Sequence, residues 1–259
     1  MKLAQAGSKT TFLIALVLIG FLSGCSTLRR ERILRNSGTV SNDLDLPLIL
    51  YRSSHILSSR MVVLLSGDGG WLDFNDSLAV SFTKAGYDVI GFNSRSYFWH
   101  RKTPEQTAAD FTRLLTRYMK LWNNRRITLN GYSFGADVVP FIYNRLPDEL
   151  KARVTEIQLL SPFLSTDFEV YLTDLINLGG DDRDYKVKEE LSKIKVPIYC
   201  FYGQDEDHKP LADVSAKNFH LSILPGGHHY TGGYGRIITS AGRSILPFNL
   251  RNPRQRLKE

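Results

Sequence analysis

The sequence predicts an α/β fold, a mostly parallel central sheet flanked by helices, on three observations. Short apolar runs rich in β-branched residues recur along the chain, amphipathic stretches of helical length separate them, and Gly-containing turns follow several of the runs. Such alternation places parallel strands side by side with helices on both faces. Met61–Leu65, Val89–Phe92, Ile127–Asn130, Glu156–Leu160, Ile198–Tyr202 and His220–Leu224 read as strands. Asp73–Ala85, Thr103–Trp122, Ala136–Leu146 and Lys186–Ile194 read as helices. The second helix opens with Thr103 as its cap, Pro104 at the first helical position and Glu105 in the first turn.

A chain of 259 residues that is 42% hydrophobic and 23% charged can bury one sizeable core, so one catalytic-sized domain is expected, over residues 46–259. Residues 1–24 read as a secretory leader: Lys2 and Lys9 are followed by an apolar run from Thr11 to Leu22, too short to span the roughly 20 residues of a bilayer core. Leu22-Ser23-Gly24-Cys25 resembles a bacterial lipobox, in which the cysteine is lipidated and becomes the new N-terminus. Ser26 after the cysteine, in place of Asp, favours the outer membrane as the destination. Residues 25–45 read as a lipidated N-terminus and polar tether. With Cys25 acylated, Cys200 has no disulfide partner, and its apolar surroundings mark it as a buried strand residue. The formal net charge is +7, two units of which belong to Lys2 and Lys9 in the leader. Arg29, Arg30, Arg32 and Arg35 follow the anchor, where each cation near an anionic bilayer gains about 1 kcal/mol. A solvated tether explains them equally well. No nucleic-acid motif accompanies the charge, and no cofactor or metal motif is present.

The residues that carry chemistry centre on Ile127-Thr128-Leu129-Asn130-Gly131-Tyr132-Ser133-Phe134-Gly135-Ala136-Asp137, an apolar strand running into G-x-S-x-G and then a helical pattern. In that context the serine sits on a sharp strand-to-helix turn with its hydroxyl exposed, and the amide of Phe134 becomes an oxyanion donor at a helix N-terminus. This is the nucleophile turn of an α/β-hydrolase fold, in which the acid and then the histidine follow the serine. After the fifth run comes Gly203-Gln204-Asp205-Glu206-Asp207, and after the sixth comes Pro225-Gly226-Gly227-His228-His229-Tyr230. His228 is the preferred base, directly after the Gly-containing turn, with His229 as the alternative. Asp207 is the preferred acid and Asp205 the alternative, while Glu206 reads as a solvated side chain. The second oxyanion donor is assigned to the amide of Asp68 in Ser66-Gly67-Asp68-Gly69-Gly70-Trp71, whose glycines let backbone approach a substrate oxygen.

Three stretches, S-G-D-G-G-W at Ser66–Trp71, G-Y-S-F-G-A-D at Gly131–Asp137 followed by Pro140 and Tyr143-Asn144-Arg145-Leu146-Pro147, and L-P-G-G-H-H-Y at Leu224–Tyr230, together resemble the bacterial virulence proteins of the VirJ and AcvB family. The resemblance spans residues 61–246 and implies an α/β-hydrolase acting outside the cytoplasmic membrane, with a Ser133, Asp207 and His228 triad. For AcvB-type members it implies cleavage of the lysyl ester of lysyl-phosphatidylglycerol. A dicationic acyl group calls for carboxylates in the acyl pocket, so Asp68, Asp137 and the cluster Asp181, Asp182 and Asp184 are candidates, with Trp71 as a further substrate contact. That cluster falls in a small lid insertion between the fourth and fifth strands, where Phe163, Leu164, Phe168, Tyr171 and Leu172 supply either lid core or an acyl-chain surface. Three functions fit: a lysyl-phosphatidylglycerol hydrolase, a serine esterase or lipase with another ester substrate, or a non-catalytic adaptor for secretion with a hydrolase fold. The expected partners are a phospholipid or aminoacyl-phospholipid substrate and the membrane that holds the lipid anchor.

Overall fold

The computed structural model describes residues 38–54, 59–171 and 183–243. The predicted leader, the lipidation site Cys25, most of the predicted tether, Leu172, Asp181 and Asp182 lie outside these residues. In chain order the elements are β1 (Thr39–Ser41), β2 (Leu48–Tyr51), β3 (Arg60–Leu65), α1 (Asp73–Lys84), β4 (Asp88–Phe92), α2 (Ser94–Tyr97), α3 (Pro104–Trp122), β5 (Arg126–Tyr132), α4 (Phe134–Arg145), α5 (Asp148–Lys151), β6 (Val154–Leu160), β7 (Ser165–Thr166), β8 (Tyr185–Lys186), α6 (Val187–Leu191), β9 (Ile198–Gly203), β10 (Phe219–Leu224) and α7 (Tyr234–Arg243).

Eight strands form one sheet in the order β1-β2-β4-β3-β5-β6-β9-β10. β2 runs antiparallel to β1 and to β4, and the other neighbours are parallel. The six predicted strands are the parallel part of this sheet, and the four predicted helices are α1, α3, α4 and α6, with ends shifted by a few residues. β1 lies inside the segment predicted as tether, so the folded region begins before Pro47. Its three residues are too few to show a period, and only pairing with β2 makes them a strand. α7 lies outside the predicted elements, although Ile237, Ser240 and Ala241 form a buried stripe at helical spacing.

The central strands are buried on both faces, which is why they read as continuous apolar runs. Met61, Val63 and Leu65 of β3 join the core beneath α3 and α4, and the alternate residues Val62 and Leu64 are buried on the other side. α3 buries Thr107, Ala108, Phe111, Leu114, Leu115 and Tyr118, a helical stripe, and starts with a capping box in which Thr103 Oγ1 accepts from the Gln106 amide at 3.1 Å and Gln106 Oε1 accepts from the Thr103 amide at 2.9 Å. Cys200 is buried in β9 without a disulfide partner among the described residues, as its apolar run indicated. Phe168, from the insertion after β6, is fully buried against Phe98, Phe141 and Tyr185, so it is core, whereas Phe163 and Leu164 are exposed. The β7–β8 pair ties the two ends of that insertion together. Among the described residues no helix is long and apolar enough to cross a membrane.

Candidate active site

Parallel strands deliver their C-terminal ends to one edge of the sheet, and the site lies there. Ser133 joins β5 to α4 at φ 52 and ψ −125, a conformation that costs a non-glycine residue about 1–3 kcal/mol and persists only where packing imposes it. Here the packing is specific. A Cβ at Gly131 would lie 2.3 Å from the Gly135 carbonyl oxygen, and one at Gly135 would lie 2.5 Å from the Ser66 carbonyl oxygen, so neither position of G-x-S-x-G tolerates a side chain. The Ser133 amide donates to the Leu160 carbonyl at 2.8 Å, tying the turn to the end of β6.

His228 follows β10 on a turn made by Gly226, whose φ is 90. Its Nε2 is 3.0 Å from Ser133 Oγ and its Nδ1 is 3.1 Å from Glu206 Oε2. Of the two candidate bases, His228 is the one that stands beside the serine hydroxyl. The expectation for the acid is not met: the carboxylate at the imidazole is Glu206, and neither Asp207 nor Asp205 contacts it. The reason is local. The Asp205 amide donates to the Gly226 carbonyl at 3.0 Å and the Glu206 amide to Gly203 at 3.3 Å, a tight turn that sends Glu206 inward and leaves its two neighbours exposed. Lys209 closes the turn by donating to the Gln204 and Glu206 carbonyls. Asp207 stays on the cavity rim.

Burial of the Glu206 carboxyl favours its protonated form, but hydrogen bonds from His228, the Gly203 amide and the Ser161 hydroxyl outweigh it and hold the group below the usual carboxylate range. His229, the alternative base, contacts the Tyr132 hydroxyl through Nδ1 at 2.7 Å instead of the serine. Burial, together with the neighbouring His228, lowers its affinity for a proton against an opposing pull from Glu206. Gly67, from the loop after β3, lies against the nucleophile, where a Cβ would come 3.2 Å from Ser133 Cβ. Asp68 beside it lines the same cavity as Phe134, whose amide precedes the first hydrogen bond of α4, from Ala136 to the Ser133 carbonyl. The Asp68 side chain accepts from the Gly69 amide at 2.8 Å and so braces its own loop.

The cavity has a volume of about 810 Å³. Asp137, one helical turn after Ser133, is on its wall and buried, with Oδ1 accepting from the Phe163 amide at 2.6 Å. Burial drives its carboxyl well above the usual range, with nearby Asp68 adding to the rise and Arg183 opposing it. Trp71 is not a substrate contact: its indole is buried against Gly91 of β4, away from the cavity, and donates to the Tyr51 hydroxyl at 3.2 Å. Asp184 is exposed and paired with Arg101 at 2.8 Å, also away from the cavity. Among the described residues no cluster of His, Cys, Asp and Glu could hold a metal ion.

Sheet order, strained serine turn and the Ser133, His228 and Glu206 geometry define an α/β-hydrolase. Within that class, residues 59–244 match the family described as Bacterial virulence protein (VirJ), and the chain belongs to that family. Its fold is similar to that of Est1E from Butyrivibrio proteoclasticus, at a TM-score of 0.55 and 14% identity over 79% of this chain and 95% of that one. It is also similar to a proline iminopeptidase from Mycobacterium smegmatis, at a TM-score of 0.58 and 12% identity over 80% and 98% of the two chains. The Pyrococcus furiosus esterase Pf2001 gives 0.52 and 14% over 77% and 86%. No curated protein matches the sequence.

Two consequences are measurable. Glu206→Gln lowers kcat on an ester substrate by about 10³-fold or more, while Asp207→Asn and Asp205→Asn stay within about threefold of the unmodified chain. The reverse ranking would return the acid's role to an aspartate. The second concerns stability. A carboxyl whose folded pKa is depressed stabilises the fold above its unfolded pKa, and that contribution is lost as pH falls through the folded value. The stability gap between the unmodified chain and Glu206→Gln in urea titrations is therefore widest near neutral pH and narrows below about pH 4. A gap independent of pH contradicts the depressed Glu206 carboxyl.

Proposed function

We propose that this chain is a serine hydrolase acting on carboxylic esters, and that its substrate is the lysyl ester of lysyl-phosphatidylglycerol at the bacterial envelope, where lipid on Cys25 holds the enzyme. The observation that carries the first part is the imidazole of His228 within hydrogen-bonding distance of both Ser133 Oγ and Glu206. Ser133 Oγ attacks the ester carbonyl carbon while His228 Nε2 takes the hydroxyl proton, and the developing oxyanion is met by the Phe134 and Asp68 amides. The C–O bond of the ester then breaks, His228 returns the proton to the departing lipid alkoxide, and lysine remains as an ester on Ser133. Water, deprotonated by the same imidazole, attacks that ester and frees lysine and the serine. Glu206 orients the imidazole and balances its charge in both halves.

The cationic acyl group finds support in Asp137. Its Oδ1 accepts from the Phe163 amide, and Asp68 shares the cavity wall with it. An ammonium held there opposes the burial that raises this carboxyl above the usual range. A second reading, a hydrolase of neutral esters, draws on the upward shift of that carboxyl together with the apolar Leu72, Phe163 and Leu164 of the same cavity lining.

Vesicles containing lysyl-phosphatidylglycerol separate the readings when lysine and fatty acid are both followed. Lysine release without fatty acid, abolished in Ser133→Ala along with fluorophosphonate labelling, is the expected result. Asp137→Asn then raises KM for the lysyl lipid by about tenfold while changing turnover of p-nitrophenyl butyrate much less. Fatty acid release without lysine selects the neutral-ester reading, and an unlabelled Ser133 removes the enzymatic one in favour of an adaptor.

A further inference from the structure

The carboxylate of Glu206 divides its work between two oxygens. Oε2 faces His228, and Oε1 accepts from the Gly203 amide and from the Ser161 hydroxyl at 2.7 Å. Ser161, the first residue after β6, has φ 50, and Tyr230, two residues beyond the imidazole, has φ 44. Both are non-glycine residues in the left-handed region, both are buried, and their hydroxyls lie 2.6 Å apart. They also share one anchor on β9: the Phe201 carbonyl accepts from the Ser161 amide at 2.8 Å and from the Tyr230 hydroxyl at 3.1 Å.

Proton counting fixes the direction of this chain. An ionised Glu206 has no proton to give, so the Ser161 hydroxyl donates to it. The short contact between Ser161 and Tyr230 then needs the phenol as donor, with the Phe201 carbonyl sharing its proton. Burial keeps the phenol protonated far above neutral pH, against a smaller opposing effect of Ser161, so the donor persists throughout the working range. The phenol ring is lodged against Phe74, with centroids 5.6 Å apart.

We propose that Ser161 and Tyr230 form a clamp that positions Glu206 against His228, making them positioning residues for ester hydrolysis; this rests on the serine-hydrolase reading above. The clamp joins the three loops that carry the acid, the base and the end of β6. It explains why two residues hold strained backbone next to a third strained residue, Ser133. Removing the Ser161 hydroxyl leaves Glu206 with one fixed donor on Oε1, free to rotate, and the imidazole loses its orientation without any change in the acyl pocket.

The decisive variant is Ser161→Gly, because glycine adopts φ 50 freely and the change removes the hydroxyl with only the one carbon that bears it. Tyr230→Phe removes the phenol proton at the other end. Expected in both is a fall in kcat of about tenfold with KM within about twofold, and in the double variant no further fall, since Tyr230 acts through Ser161. The proton on His228 Nδ1 supplies a readout independent of turnover. Its low-field ¹H NMR resonance, assigned by its loss in Glu206→Gln, moves upfield in Ser161→Gly. An unchanged kcat and an unchanged resonance in a folded Ser161→Gly protein overturn the clamp. Failure of the serine-hydrolase reading looks different: the unmodified chain then resists fluorophosphonate labelling, and the resonance still decides the clamp.

Discussion

His228 is held at both ring nitrogens by partners from distant parts of the chain, and this double attachment constrains the whole C-terminal edge of the sheet. Ser133 arrives from β5, Glu206 from the loop after β9 and the imidazole from the loop after β10. Their meeting at 3.0 and 3.1 Å requires those strand ends to keep register with one another, which the parallel ladder from β5 through β6 and β9 to β10 supplies. Displacing one strand by a residue would turn its loop to the opposite face. The serine turn adds a second condition, because its strain is tolerated only while Gly131 and Gly135 let β5, α4 and the end of β3 interlock.

Much of this was legible in the sequence because it depends on local pattern. Apolar runs separated by helical stripes identify the parallel strands, and G-x-S-x-G between a strand and a helix identifies Ser133. His228 was legible from its place after the last strand and a Gly-containing turn. Glu206 was not, because a spacing argument counts residues from a strand end and cannot see which way a tight turn points each side chain. The order serine, acid, histidine admits glutamate as readily as aspartate, and that was the available signal. Trp71 failed for a related reason: it adjoins the Gly-rich loop in sequence, yet its indole fills space above Gly91. β1 is too short to carry a pattern of its own, whereas α7 carries a helical stripe of Ile237, Ser240 and Ala241 that was legible in the sequence.

The site also sets two carboxyls apart by environment. Glu206 is buried but amply supplied with donors and stays ionised, whereas Asp137 is more deeply buried, meets a single amide and is driven toward its neutral form. One serves the imidazole, and the other faces the space an acyl group would occupy.

The central claim is that Ser133, His228 and Glu206 act as a unit. A double-mutant cycle on kcat/KM, comparing His228→Ala, Glu206→Gln and the two combined, tests it most directly. Groups acting as a unit give a combined loss no larger than that of His228→Ala alone, because an acid without its imidazole has nothing to orient. Losses that multiply would show that Glu206 acts independently of His228 and would contradict the account.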